Sequence, residues 1–373
     1  MGRAGACILG TVAALGACGG GAVRSPAPVV SPTGVTFPPG TPPVETRFSQ
    51  TAALYLRSGR TDEALRLARQ GIDAEPGNPI HHFLAGVAHA RLGEYDEAHR
   101  GFLEAERLYP AYALEIEPER EAAWTEAFNR GVEAYSDGEI EGALRAWRAA
   151  TTIFDIRPEA HTNLGKLLEE RGRYDEAVDV YRRAIQGLGR RPMTRVLGES
   201  ELRDREAERR RVEASLADVL LVADRFVEAE ALYRGELERD PMSVQAERGL
   251  ASALAGQGRH AEAAEVYDDL LSRAGLGPGD LFDLGVVLFR SSDFARAAEA
   301  FERLTEVRPD SRDVWFNYAN ALFAAEAWES LIGVGDRLLT LDPLSQNAGL
   351  IVARAHLESG DDQAALRRLA RVA

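Results

Sequence analysis

Along most of the chain, apolar positions return at intervals of three and four, with arginine, glutamate and aspartate between them. In "RYDEAVDVYRRAI" (residues 173–185), Ala177, Val178, Tyr181, Ala184 and Ile185 fall on one side of a helical wheel and the charges on the other. Close variants of the phrase stand at 60–72, "RTDEALRLARQGI", and at 94–106, "EYDEAHRGFLEAE". With one small residue of each variant as marker, the series is Ala64, Ala98, Ala143, Ala177, Ala229, Ala263, Ala297, Leu331 and Ala365. The steps are 34, 45, 34, 52, 34, 34, 34 and 34, and the two odd ones equal 34 + 11 and 34 + 18. A 34-residue register therefore survives two insertions, and its two amphipathic halves predict a helical hairpin per period.

The columns of this register have a packing logic. Twelve residues before each marker stand Ala52, Gly86, Gly131, Gly165, Ala217, Ala251, Gly285, Ala319 and Ala353. Glycine or alanine in every unit implies two helices so close that a larger side chain would push them apart. Large residues fill complementary columns: Leu168, Leu220, Leu254, Leu288 and Leu322 on the first helix, and Phe102, Trp147, Tyr181, Tyr233, Tyr267 and Phe301 on the second. Gly59, Gly93, Gly138, Gly172 and Gly258 fall at the turn inside a unit, where positive φ is needed. Pro76, Pro110, Pro241, Pro309 and Pro343, or Pro158, Pro192 and Pro278 three residues later, separate units.

A 34-residue helical-hairpin period with these columns resembles the tetratricopeptide repeat over nine units, from about residue 45 to the end. The resemblance implies an all-α, right-handed solenoid of about nine stacked hairpins, with a concave surface lined by the first helices. One hairpin cannot bury its apolar faces alone, so neighbours must supply the missing wall. In the column three places after the aromatic one, small residues in the early units (Gly71, Ala105, Ala150, Ala184) give way to Glu236, Leu270, Leu304 and Leu338. Looser or differently angled packing between units is expected there. The eighth unit departs again, with Leu331 and Gly335 where alanine and an aromatic are usual.

By the same resemblance, positions 2, 5, 9 and 12 of each first helix form the partner-binding wall. They read Ile80, Phe83 and Val87; Phe128, Val132 and Tyr135; Phe282, Val286 and Phe289; Phe316, Asn320 and Phe323; then Leu350, Arg354 and Leu357. Position 13 adds Arg57, Arg91 and Arg290. Clustered aromatics of this sort mark interaction sites, and the expected occupant is an apolar, partly acidic segment of another protein. The alternative is that these rings pack against adjacent units. Ser49 and Ala53 occupy positions where some relatives place a lysine–asparagine clamp for a terminal carboxylate.

The first 44 residues read differently. Arg3 precedes "AGACILGTVAALGA", 14 uncharged residues too short to span a bilayer but suited to the core of an export signal. Leu15-Gly16-Ala17-Cys18 resembles a bacterial lipobox, which implies a signal peptide over 1–17 and acylation of Cys18. Cys7 would leave with the signal, so the mature chain would have no internal disulfide. Residues 18–44, with seven prolines, are expected to form a disordered tether reaching roughly 80 Å at about 3.1 Å per residue. Gly19 after the cysteine favours the periplasmic face of the outer membrane, with a secreted or periplasmic protein as the alternative. The membrane would be touched through the lipid anchor only.

A net charge of −15 argues against nucleic acid. His82 and His89 share a helical face, but no third ligand shares their spacing, so no metal is expected. "GLGPGD" (275–280) follows a helix rather than a strand and reads as a helix stop and restart, not a phosphate loop. No cofactor and no catalytic site is expected. The insertions fall near 113–123 and 192–209; the second is arginine-rich and reads as an extended solvated helix or a basic ridge facing headgroups or an acidic partner. The expected function is a non-catalytic protein-interaction scaffold on the bacterial envelope. Regulation of a cell-wall enzyme, or reception of a peptide or glycan, is the alternative.

Overall fold

The computed structural model describes residues 28–274 and 277–372. The signal stretch and Cys18 lie outside them. Among the described residues there are eighteen α-helices, one 3₁₀ turn and a single isolated β-bridge. They pair as nine hairpins: α1 (Arg47–Arg57) with α2 (Thr61–Ala74), α3 (Pro79–Leu92) with α4 (Tyr95–Leu108), and α5 (Ala113–Ser136) with α6 (Ile140–Ile153). Next come α7 (Glu159–Glu170) with α8 (Tyr174–Gly189), α9 (Glu199–Val222) with α10 (Phe226–Arg239), and α11 (Val244–Gly256) with α12 (His260–Ala274). The last three are α13 (Pro278–Arg290) with α14 (Phe294–Val307), α15 (Arg312–Ala324) with α16 (Trp328–Leu341), and α17 (Gln346–Glu358) with α18 (Asp362–Val372). Each helix packs on its hairpin partner, and each second helix but the last packs on the first helix of the next pair, which makes an α-solenoid.

The small-residue column works as its composition demands. A Cβ on Gly165 would lie 2.5 Å from Cζ of Tyr181, and one on Gly285 would lie 2.7 Å from Cε1 of Phe301. The aromatic ring of the second helix thus sits flat against the backbone of the first. Phe102, Trp147, Tyr181, Tyr233, Tyr267 and Phe301 are all buried, each contributing about 1.5–3 kcal/mol of transfer free energy. In the eighth unit Val352 of the following helix fills the space that Gly335 leaves. Gly277 precedes α13 and its N–H donates to Asp280 at 3.0 Å, a helix start at the former glycine-rich stretch.

The side chains of the column expected to loosen the C-terminal half are themselves well packed. Leu270, Leu304 and Leu338 are fully buried, and Glu236 turns outward to Arg239 at 3.1 Å. The apolar interior divides instead near the third unit. One cluster runs from Ala52 to Ala160, the other from Ala143 to Ala355, and Phe128 touches both. The first insertion explains the break. Helix α5 has 24 residues where α11 and α13 have 13, so 24 − 13 = 11 extra residues become three more helical turns. Helix α9 also has 24 residues, and the rest of the second insertion lengthens α8 and the loop after it.

The two insertions meet. Glu117 on the α5 extension accepts from the N–H of Met193 at 2.7 Å, from the N–H of Thr194 at 3.2 Å, and from the Thr194 hydroxyl. Arg205, on the α9 extension, donates to the carbonyls of Ile156, Gly187, Leu188 and Arg190. Arg205 is thereby drawn inward, and Glu201, one turn before it on the helix, pairs with Arg195 at 2.7 Å instead. Arg120 is buried at the same junction. It donates to Nδ1 of His99 at 2.9 Å, to the carbonyl of Ile153 at 3.2 Å and to Glu106 at 3.0 Å.

Residues 28–44 do not run free as a tether; they lie against this junction. Phe37 is buried with Ala111 and Ala113, flanked by Val29, Leu114 and Met193. The Thr41 N–H donates to the Leu108 carbonyl at 2.8 Å, and Val44 and Asn78 exchange two hydrogen bonds. Gly40 is needed here, since a Cβ would sit 2.5 Å from the Leu108 oxygen. The strap's described prolines are all exposed, and Phe37 and Ser31 are its buried anchors. The composition that argued for a solvated tether is equally compatible with a docked strap.

Candidate interaction groove

The first helices carry the expected wall, but its two halves differ. In the second unit Val87 is buried, 3% exposed, and cannot meet a partner. Phe83 stacks on Tyr112, ring centroids 5.2 Å apart, where the 3₁₀ turn Pro110–Tyr112 leads into α5. Arg91 turns inward to the Leu56 carbonyl at 2.5 Å. In the third unit Phe128 stacks on Trp124 at 4.9 Å, whereas Val132 and Tyr135 remain exposed. The inserted segment thus covers part of the wall that the register alone would leave open.

Towards the C-terminus the wall stays open at one edge. Phe282 packs edge-on against Phe301 at 5.9 Å and Phe316 rests on the core, both half-buried, with Asn320 and Val286 between them. Phe289 and Phe323 are more than a third exposed and stand edge-on to Phe294 and Trp328, at 5.1 and 5.5 Å. Arg290 and Arg57 are exposed at the ends of their helices. Leu350, Arg354 and Leu357 line a cleft of about 500 Å³ with Leu366 and Leu369 of α18. Sequence reasoning missed the second-helix partners of this strip. The recurrent aromatic that opens the second helix (Tyr95, Tyr174, Phe226, Phe294, Trp328) was the signal available.

The histidines are separately engaged. His82 Nε2 meets the Pro76 carbonyl at 2.9 Å, His89 Nδ1 meets Glu94 at 2.5 Å, and His81 is fully buried beside Gly71. Burial, and then the charge of Arg120, lowers the pKa of His99, which keeps its Nδ1 free to accept from that guanidinium. Among the described residues no three His, Cys, Asp or Glu side chains gather as a metal site would require, and no helix is long and apolar enough to cross a membrane.

A family model described as "Tetratricopeptide repeat" matches residues 50–113, 128–192, 215–280 and 282–346, well over half of the chain. The chain belongs to the tetratricopeptide-repeat family. The four matched segments skip most of both insertions, in keeping with their departure from the repeat. No curated protein matches this tetratricopeptide-repeat chain. Solved structures with a similar course include "MamA MSR-1 C2", 18% identical, which covers 44% of this chain and 94% of its own with a TM-score of 0.39. MamA from Desulfovibrio magneticus RS-1 is 16% identical, covering 44% and 92% with a TM-score of 0.39. YrrB, described as "a TPR protein with an unusual peptide-binding site", is 17% identical, covering 46% and 89% with a TM-score of 0.42.

Proposed function

We propose that this protein is a non-catalytic interaction scaffold, held at the bacterial envelope through an acylated Cys18, that takes a segment of another protein along the C-terminal part of its groove. The observation that carries the reading is the open aromatic strip. Phe289 and Phe323 lie exposed on successive first helices with Leu350 and Leu357 beyond them, and exposed apolar side chains in register along a solenoid suit an extended strand or short amphipathic helix. Arg290 beside the strip suits an acidic residue in that segment. The lipobox-like Leu15-Gly16-Ala17-Cys18 supports the anchor, and Gly19 supports the periplasmic face of the outer membrane.

The test is crosslinking in intact cells followed by identification of the captured protein, repeated with Phe289→Ser and Phe323→Ser combined. Both rings are surface-exposed, so the double variant should fold, and capture should fall at least ten-fold if each ring contributes on the order of 1 kcal/mol. Unchanged capture by the folded variant removes the groove from the reading. Radiolabelled palmitate failing to enter the protein at Cys18 removes the anchor.

A further inference from the structure

The docked strap has a geometric consequence at the second insertion. Val29 and Phe37 pack with Met193, and the Thr33 hydroxyl reaches the Met193 carbonyl at 3.5 Å. The chain therefore enters the described structure beside the loop of residues 190–198. Only nine residues, 19–27, separate Cys18 from Pro28, and the ten backbone steps reach at most about 34 Å fully extended. Had residues 18–44 been free, the reach would be more than twice that, and any face of the solenoid could turn towards the point of attachment.

The loop so placed is unlike the rest of the surface. It contains Arg190, Arg191 and Arg195 and no acidic residue, in a chain whose net charge is −15. All three arginines are exposed, and Val196 beside them is 71% exposed. Arg190 reaches Asp155 and Arg195 reaches Glu201 at 2.7 Å. Exposed pairs of this kind contribute little to stability, and each guanidinium keeps further N–H groups to offer. Arg203, on the solvent side of α9, is paired only loosely with Glu199 at 3.8 Å.

We propose that this inserted edge is a membrane-facing surface that takes anionic lipid headgroups, so that the strap fixes how the solenoid stands on the bilayer and turns its groove towards a partner. The inference rests on the reading that Cys18 is the point of attachment. Guanidiniums pair with phosphate oxygens in the manner of a fork, and the exposed Val196 can enter the interfacial region between them. The chain's large negative charge elsewhere disfavours any other face against an anionic surface.

The test imposes the attachment instead of assuming it. Residues 18–373, which contain every described residue, are coupled through Cys18 to a maleimide lipid in vesicles of phosphatidylcholine alone or mixed with phosphatidylglycerol, and backbone hydrogen exchange is followed. Amides of 190–198 should slow by about five-fold or more for each arginine engaged on the anionic vesicles only, and the slowing should vanish in high salt. Arg191→Ser with Arg195→Ser should abolish it without releasing the protein. Phe37→Asp, which frees the strap and leaves the arginines in place, should weaken it as well. Identical exchange of 190–198 on both vesicle types overturns the proposal, as does protection confined to another face. Because the lipid is attached chemically, neither result depends on whether cells acylate Cys18, which the palmitate experiment decides separately.

Discussion

The first four units and the last five are built from the same repeat, yet they are held together differently. From α9 onwards the markers step by 34 without exception, and neighbouring hairpins meet through leucines and aromatic rings with an open strip on the first helices. In the first half, one long helix, an arginine-rich loop and a proline-rich strap converge on a buried polar junction and close part of the same wall. The comparison teaches that one stretch of a solenoid can be closed over by insertions while another keeps its first-helix strip open. In an array whose stability is a sum over neighbours, the two need not be coupled.

The sharpest way to break that comparison is at Arg120. Its guanidinium serves three acceptors from the third unit and its neighbours, and Glu106, a quarter exposed, is its counter-charge. Arg120→Met should destabilise the first half by about 3 kcal/mol, because a carboxylate is left partly buried and unpaired. The loss should appear as faster hydrogen exchange in α4, α5 and α6, with α13 to α18 little changed. Equal acceleration in both halves would mean that the array unfolds as one unit. Glu106→Gln added to Arg120→Met should recover part of the loss, since the orphaned charge is gone.

Acid acts in opposite directions at one site in each half. Glu230 in α10 receives Gln257, Arg234 and Arg259, and these donors hold its pKa near about 2, below the ordinary 4.5. A depressed carboxylate stabilises the folded state fully above the ordinary value and loses that contribution as pH falls from 4.5 towards about 2. The stability difference between the native protein and Glu230→Gln should accordingly be constant above that window and shrink through it. In the first half, burial raises the pKa of Glu106 and of Glu119. The sign reverses for them: their ionisation opposes folding at neutral pH, and protonation in mild acid relieves it. Protection near α5, taken relative to the intrinsic exchange rate at each pH, that rises between neutral and mildly acidic pH while protection near α10 does not would match this; parallel behaviour would contradict it.

The sequence makes some of this division legible and hides the rest for physical reasons. The hairpins, their turns and the close approach at Gly165 and Gly285 were readable because a repeat states the same packing requirement nine times. The insertions were readable as lengths, 11 and 18, but a length does not say what a segment touches. That Glu117 would receive the backbone of Met193 and Thr194, 76 and 77 residues away, has no periodic signature. The strap misled for a related reason: proline and glycine content reports backbone stiffness and missing donors, and both free and docked extended chains satisfy it. Val29 and Phe37, apolar residues within polar, proline-rich text, were the available hint. Val87 failed as a wall residue because it belongs to the apolar core of the first half, which the register of the helix face alone does not reveal.

The finest difference between the halves lies in the turns. Gly59, Gly93, Gly138 and Gly172 give every hairpin of the first half a residue suited to positive φ. In the second half Gly258 and Gly360 keep glycine there, but Asp224, Ser292 and Glu326 hold φ of 57°, 65° and 55° at the same place. Asp and Ser can offset the strain with a short polar side chain, but glutamate has no such local partner. The left-handed conformation costs a residue with a Cβ about 1 kcal/mol, and glycine returns part of that by widening the unfolded ensemble, at about 0.4–1 kcal/mol. Glu326→Gly should therefore stabilise by no more than about 0.5 kcal/mol, visible as a small rise in the urea midpoint with unchanged slope. The turn's own bonds, Glu326 N–H to the Phe323 carbonyl at 3.1 Å and Ala327 N–H to the Leu322 carbonyl at 2.9 Å, do not involve the side chain and should persist. Although Glu326 lies between Phe323 and Trp328 in the chain, partner capture should also be unaffected if its carboxylate makes no contact with the partner. If Glu326→Gly lowers stability or capture, the carboxylate is serving the open strip, and the second half has kept a strained turn for the sake of binding.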